Sequence, residues 1–158
     1  PECVSTLMLA ATSAFNPERN KKLFHDWVLY LKSGINLELW FRNIFYWIFS
    51  RRFFENKSAL DAAMRFALEY PYPQSAIAFE KQVEAANTFN CQEDLAHIKK
   101  KTLIICGKED LLFPPEESIN ILKAIPETSI AIIEHAAHSI HMENPAAFTD
   151  CVLRFLSN

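Results

Sequence analysis

Hydrophobic positions along the chain follow two rhythms. Residues 4–10 (Val-Ser-Thr-Leu-Met-Leu-Ala), 102–106 (Thr-Leu-Ile-Ile-Cys) and 129–133 (Ser-Ile-Ala-Ile-Ile) are short, nearly continuous apolar runs. Runs of that length, rich in β-branched residues, predict strands buried on both faces, as in a parallel sheet covered by helices. Between the first run and the second the period changes to that of a helix. Leu23, Phe24, Trp27, Tyr30 and Leu31 share one helical face; Asn16-Pro17 suits its cap and first turn, and Gly34 its stop. Asn36 predicts the cap of a second helix over 37–49. Apolar residues go most of the way around that helix, so it must be covered on several sides. Ser58-x-x-Asp61 predicts a capped third helix that ends before Pro71. Pro73 predicts the start of a fourth, with Ala76, Phe79, Val83 and Ala86 in register.

After these helices the strand rhythm returns. Asp94-Leu95-x-x-Ile98 makes a short helical turn back to the sheet. Pro114-Pro115 opens a crossover helix with Ile121, Leu122 and Ile125 toward the sheet, and Pro126 closes it. Asn144-Pro145 opens the last helix, whose apolar face is Phe148, Cys151, Val152 and Phe155. The expected organisation is a strand and loop over 1–15, a helical insertion over 16–90, and the rest of a core over 91–158. The fold class is α/β: three parallel strands, flanking helices and an inserted group of four helices.

Composition narrows the function. Net charge is −3 with both signs interspersed, which argues against a nucleic-acid surface; Lys99, Lys100 and Lys101 read as a solvated turn. No uninterrupted apolar run is long enough to predict a membrane span, and the first residues lack the basic start of a signal peptide. Cys3, Cys91, Cys106 and Cys151 show no C-x-x-C spacing, so buried free thiols in a reducing, cytoplasmic setting are expected. Gly34 and Gly107 are the only glycines among 158 residues, against a usual share of about 7%.

The candidate chemistry lies at two strand ends. Asp110 follows the second strand and His138 the third, and in open α/β sheets chemistry sits outside the carboxyl ends of the strands. A carboxylate and an imidazole there are the last two members of a Ser-His-Asp apparatus. A turn carboxylate stabilised by the following helix would also account for Asp110, and Glu109 could serve that role equally well. His135, His138 and His141, flanked by Glu134 and Glu143, raise a metal site. Steps of three need one continuous helix to converge, and this segment follows a strand.

Gly107-Lys-Glu-Asp110 followed by Pro114, then His138-Ser-Ile-His-Met-Glu143-Asn-Pro145 and an amphipathic last helix, resembles the C-terminal part of α/β-hydrolases, in the esterase and 3-oxoadipate enol-lactonase branch. The resemblance implies Asp110 as the acid and His138 as the general base, with no metal or organic cofactor. It also implies a helical lid walling an apolar pocket, with Trp40, Phe41 and Phe45 as its candidate lining. The implied substrate is a small apolar ester or lactone. A thioester esterase, or a dehalogenase or epoxide hydrolase with an aspartate nucleophile, stands as the alternative, as does a non-enzymatic binding or assembly module. Two distant glycines cannot spell the G-x-S-x-G nucleophile elbow. The nucleophile is therefore expected outside this chain, which would be the second half of a longer protein. Ser13, Ser118 and Ser139 are the nearest hydroxyls and none is on such an elbow. The expected partner is the missing N-terminal half, or a second copy pairing through the first strand. Two positions depart from the family pattern: Lys101 where proline is usual, and His135 where a small residue, often glycine, is usual.

Overall fold

Strand β2 (Lys101–Gly107) holds the sheet together, and the computed structural model describes residues 2–157 around it. β1 (Thr6–Ala10) and β3 (Thr128–Ile133) pair with it on either side, both parallel, in the order β1-β2-β3. The register sets Met8 beside Leu103 and Ile104 beside Ile130. From Thr102 onward every residue of β2 is buried. Its side chains alternate between two cores. Ile104 and Cys106 pack with Ala14, Leu95, Leu122 and Ile125, whereas Leu103 and Ile105 pack with Ile133, Ala136, Ile140 and Phe155. That double coverage is why the run reads without polar gaps.

Helix α6 (Pro115–Leu122) carries the chain from β2 to β3. The short α7 (Ile140–Glu143) and the final α8 (Pro145–Ser157) follow β3. Asn144 Oδ1 accepts the Ala147 N–H at 3.3 Å, the expected cap. Phe148, Cys151 and Val152 pack against the same core as Phe155.

Five helices lie between β1 and β2: α1 (Glu18–Lys32), α2 (Leu37–Ile48), α3 (Arg51–Glu55), α4 (Lys57–Leu68) and α5 (Ala76–Thr88). The chain leaves and re-enters the sheet layer at one point. Phe15 and Asn90 form an antiparallel bridge there, and the Cys91 N–H donates to the Ala14 carbonyl at 2.9 Å. A 3-10 turn (Gln92–His97) then buries Leu95 on the way to β2. Gly34 stops α1 as expected. It takes φ +76° while its N–H and that of Ile35 donate to Leu31 and Tyr30, the left-handed helix end that glycine makes without strain.

Several sequence expectations are corrected. The insertion has five helices rather than four, because α3 spans only five residues and is too short to show a period. β1 begins at Thr6 rather than residue 4. The cap of α4 is Asn56, whose side chain accepts the Ala59 N–H, not Ser58; that of α5 is Ser75, well after Pro73. Asn16 does not cap α1. Its amide donates to Asn87 Oδ1 at 2.7 Å, and extended Pro17 stands at the helix start. Asn36 caps α2 as expected, accepting from Leu39 N–H at 3.2 Å. Among the described residues no helix is long and apolar enough to cross a membrane. The four cysteines are free, but only Cys106 is buried; Cys91 and Cys151 are half-buried and Cys3 is exposed.

Candidate active site

The end of β2 and the loop after β3 are fastened to each other before any side chain is considered. The Lys108 N–H donates to Ile133 O at 3.0 Å and the Glu109 N–H to Ala136 O at 2.9 Å. Gly107 permits this closeness: a Cβ there would lie 2.0 Å from the Ala137 carbonyl oxygen. Backbone of the acid's strand thus passes directly under backbone of the histidine's loop.

Asp110 is presented on a turn that its own side chain stabilises. Oδ1 accepts the N–H groups of Leu112 and Phe113, at 2.8 and 2.9 Å. Oδ2 lies 3.0 Å from His138 Nδ1. The Asp110 side chain is fully buried, whereas that of His138 is 28% exposed. An ionised carboxylate only accepts, so Nδ1 carries the hydrogen and Nε2 is left as the ring's acceptor. Phe113 stands beside the imidazole, with ring centroids 5.8 Å apart. The arrangement can hold one tautomer, orient the ring and stabilise an imidazolium.

Other groups hold these two loops from the side of the helical insertion. Glu143 accepts the Ala137 N–H at 2.7 Å through Oε1 and the Ser50 N–H at 2.8 Å through Oε2. The Ser139 N–H donates to Ile48 O at 2.9 Å, and the Arg51 N–H to Glu109 Oε2 at 3.3 Å. Near the acid, Asn20 donates to Leu112 O at 2.7 Å and Arg19 to Leu111 O. Sequence reasoning assigned none of them to fastening these loops to the helical insertion. Glu143 was visible as a member of the histidine motif; Asn20 sits on a helix whose apolar period gives no sign of a buried amide.

The remaining candidates lie elsewhere. Trp40 and Phe45 are interior residues of the helical insertion. The Trp40 indole N–H donates to Trp27 O at 3.0 Å, and Phe45 packs with Phe49 and Ala63. Phe41 is half-buried against the same cluster. None of the three lines a cleft of about 830 Å³ that lies between Phe53, Asn56, His135 and Glu143. Nor do they line another, of about 290 Å³, beside Tyr46 and Phe54. Asp110 and His138 line neither of these clefts. His135 is exposed with φ +56°, which explains why glycine suits its position. His141 packs its ring on Phe148, at 6.4 Å between centroids. Among the described residues no three His, Cys, Asp or Glu side chains gather as a metal-binding set. Among the described residues the buried hydroxyls of Ser118 and Ser13 have no hydrogen-bond partner, and His138 hydrogen-bonds to Asp110 rather than to either of them or to Ser139.

No family model matches the chain. Among solved structures, MGS-M2, an α/β hydrolase from a Medee basin deep-sea metagenome library, superposes on 98% of the chain with a TM-score of 0.86 at 23% identity. This is part of an α/β-hydrolase fold. The enol-lactonase of Burkholderia xenovorans LB400 shares the α/β-hydrolase architecture over 98% of the chain, with a TM-score of 0.83 at 19% identity. In sequence, 77 residues (49% of the chain) are 29% identical to the Putative carbamate hydrolase RutD of Pseudomonas savastanoi pv. phaseolicola. The chain covers 56% of MGS-M2, 57% of the enol-lactonase and 30% of RutD. The three strands and eight helices among the described residues are thus part of an α/β-hydrolase fold, and the relatives named here are hydrolases.

Proposed function

We propose that this chain supplies the acid and the histidine of a cytoplasmic serine hydrolase acting on a small carboxylic ester or lactone, with the nucleophile carried on a segment outside residues 1–158. The observation that carries the reading is the 3.0 Å approach of Asp110 Oδ2 to His138 Nδ1 at the carboxyl ends of β2 and β3. In turnover His138 Nε2 takes the proton of the nucleophilic hydroxyl and returns it to the leaving group. Asp110 keeps the ring oriented and offsets its transient positive charge. The helical insertion is the lid over the acyl or ring portion of the substrate. RutD is named a carbamate hydrolase and the structural neighbour an enol-lactonase. Both names describe cleavage at an acyl carbon, which supports the reaction type.

The reading has two tests. The purified 158-residue chain is expected to hydrolyse p-nitrophenyl acetate no faster than buffer; turnover abolished by Ser13→Ala or Ser118→Ala would place the nucleophile inside the chain. A fluorophosphonate probe applied to the full-length gene product is expected to label one serine. Asp110→Asn and His138→Ala should each slow that labelling by about a hundredfold or more. Labelling at the wild-type rate in both variants would remove the triad.

A further inference from the structure

We propose that Glu143 is a positioning residue that makes the aim of the His138 imidazole depend on where the helical insertion docks. The inference rests on the acid–histidine reading above. Its starting point is a carboxylate whose two oxygens are spent on different parts of the molecule. Oε1 takes the N–H of Ala137, next in sequence to His138, and Oε2 takes the N–H of Ser50, in the corner between α2 and α3. Hydrogen bonds from N–H groups to a carboxylate are shorter and roughly twice as strong as those between neutral groups.

Both donors are deep in the structure. Ala137 is 0% and Ser50 2% exposed. Without Glu143 the Ala137 N–H would become a buried donor without its acceptor, a condition that native structures avoid, and the Ser50 N–H would be left at the wall of the cleft that Glu143 lines. Two further links act at the same corner, Ser139 N–H to Ile48 O and Arg51 N–H to Glu109 Oε2. Glu143 is the group in this set that reaches both sides of the seam with one side chain.

The acid is held by the other end of the insertion. Asn20, fully buried on α1, donates to the Leu112 carbonyl at 2.7 Å. Leu112's own N–H is bonded to Asp110 Oδ1. The insertion therefore grips the Asp110 turn through α1 and the His138 loop through the α2–α3 corner. The Glu109 N–H to Ala136 O bond joins the two loops at their base, and the Asp110–His138 hydrogen bond is the side-chain contact between them that a shift of the insertion would disturb.

The experiment is amide and imidazole hydrogen exchange by NMR on the 158-residue chain. Glu143→Ala is expected to speed exchange at Ser50 and Ala137 by about tenfold or more. It should also speed exchange of the His138 Nδ1–H with water, leaving the central-strand amides of Ile104 and Ile105 unchanged. Glu143→Gln keeps one carbonyl acceptor and is expected to restore one of the two amides, which keeps the test open should the alanine variant fail to fold. A folded variant with wild-type exchange at Ser50, Ala137 and His138 Nδ1–H overturns the proposal. Faster amides with an unmoved imidazole also overturn it, since Glu143 would then be structural only. Asp110→Asn is read separately. It should expose Nδ1–H and leave Ser50 and Ala137 as they were. An Nδ1–H unaffected by that change would sink the acid–histidine reading without involving Glu143.

Discussion

Gly107 is the residue at which the least chemistry decides the most geometry. Its backbone needs no left-handed conformation; what it needs is space, because a Cβ would meet the Ala137 carbonyl oxygen at 2.0 Å and that of Ala136 at 2.7 Å. Both neighbours are backbone and cannot swing aside. Gly107→Ala is therefore expected to destabilise the chain by about 2–3 kcal/mol, as overpacking does, with a lower urea midpoint. It should also weaken the His138 Nδ1–H signature, because the displaced loop carries the imidazole; a midpoint within error of wild type would show that the loop can yield. Cys106, one residue earlier, makes a second prediction. Burial, reinforced by the nearby charge of Asp110, pushes its thiol up to about 11. In the unfolded chain the thiol ionises near 8.5–9. Between those values the unfolded state has lost the proton and the folded state retains it, so stability falls as pH rises. The loss should total roughly 2–3 kcal/mol by the upper limit, at about 1.4 kcal/mol per pH unit. Urea midpoints at pH 8 and pH 10.5 measure it, and Cys106→Ala should flatten the decline.

At the scale of elements, legibility followed the amount of tertiary information compressed into each run. β2 was plain because a strand covered on both faces leaves no polar position to blur it. The last helix was plain because Phe148, Cys151, Val152 and Phe155 all answer to one core. The turn carrying Asp110 and the loop carrying His138 could be placed from the strands that precede them. Helix starts were less legible. Asn56 and Ser75 cap α4 and α5, yet Ser58 and Pro73 look equally suitable in sequence, since several polar residues precede each helix and the fold selects one. α3 left no trace because five residues hold barely more than a turn. The destinations of Trp40 and Phe45 were hidden for another reason. A helix apolar on most sides reveals that it is covered, not which neighbour covers which face, and α1, α4 and α5 take those faces here. The clamps of Glu143 and Asn20 join residues far apart in sequence, a relation that no local pattern encodes.

At the scale of the whole molecule the sheet has two outer edges, on β1 and on β3, that no described strand pairs with. β1 pairs with β2 along one edge, and no described strand pairs with its other edge. The Ala11 N–H donates to Ile105 O. Alternation along a parallel strand therefore turns the N–H groups of Met8 and Ala10 outward. Met8, 37% exposed, adds apolar surface to that row of open donors and acceptors. Strand edges of this kind recruit other strands. In the purified chain the available strand is that of a second copy, so the 158-residue protein is expected to self-associate through β1. Light scattering over a concentration series should then report a mass above the 18.2 kDa of one chain. Met8→Pro removes one outward N–H and leaves the bonds to β2 in place, a substitution an edge strand tolerates. It should return the protein to a monomer with its circular dichroism intact. A wild-type chain that stays monomeric at every concentration, with slow amide exchange at Met8 and Ala10, would mean that this edge is protected by something other than strand pairing.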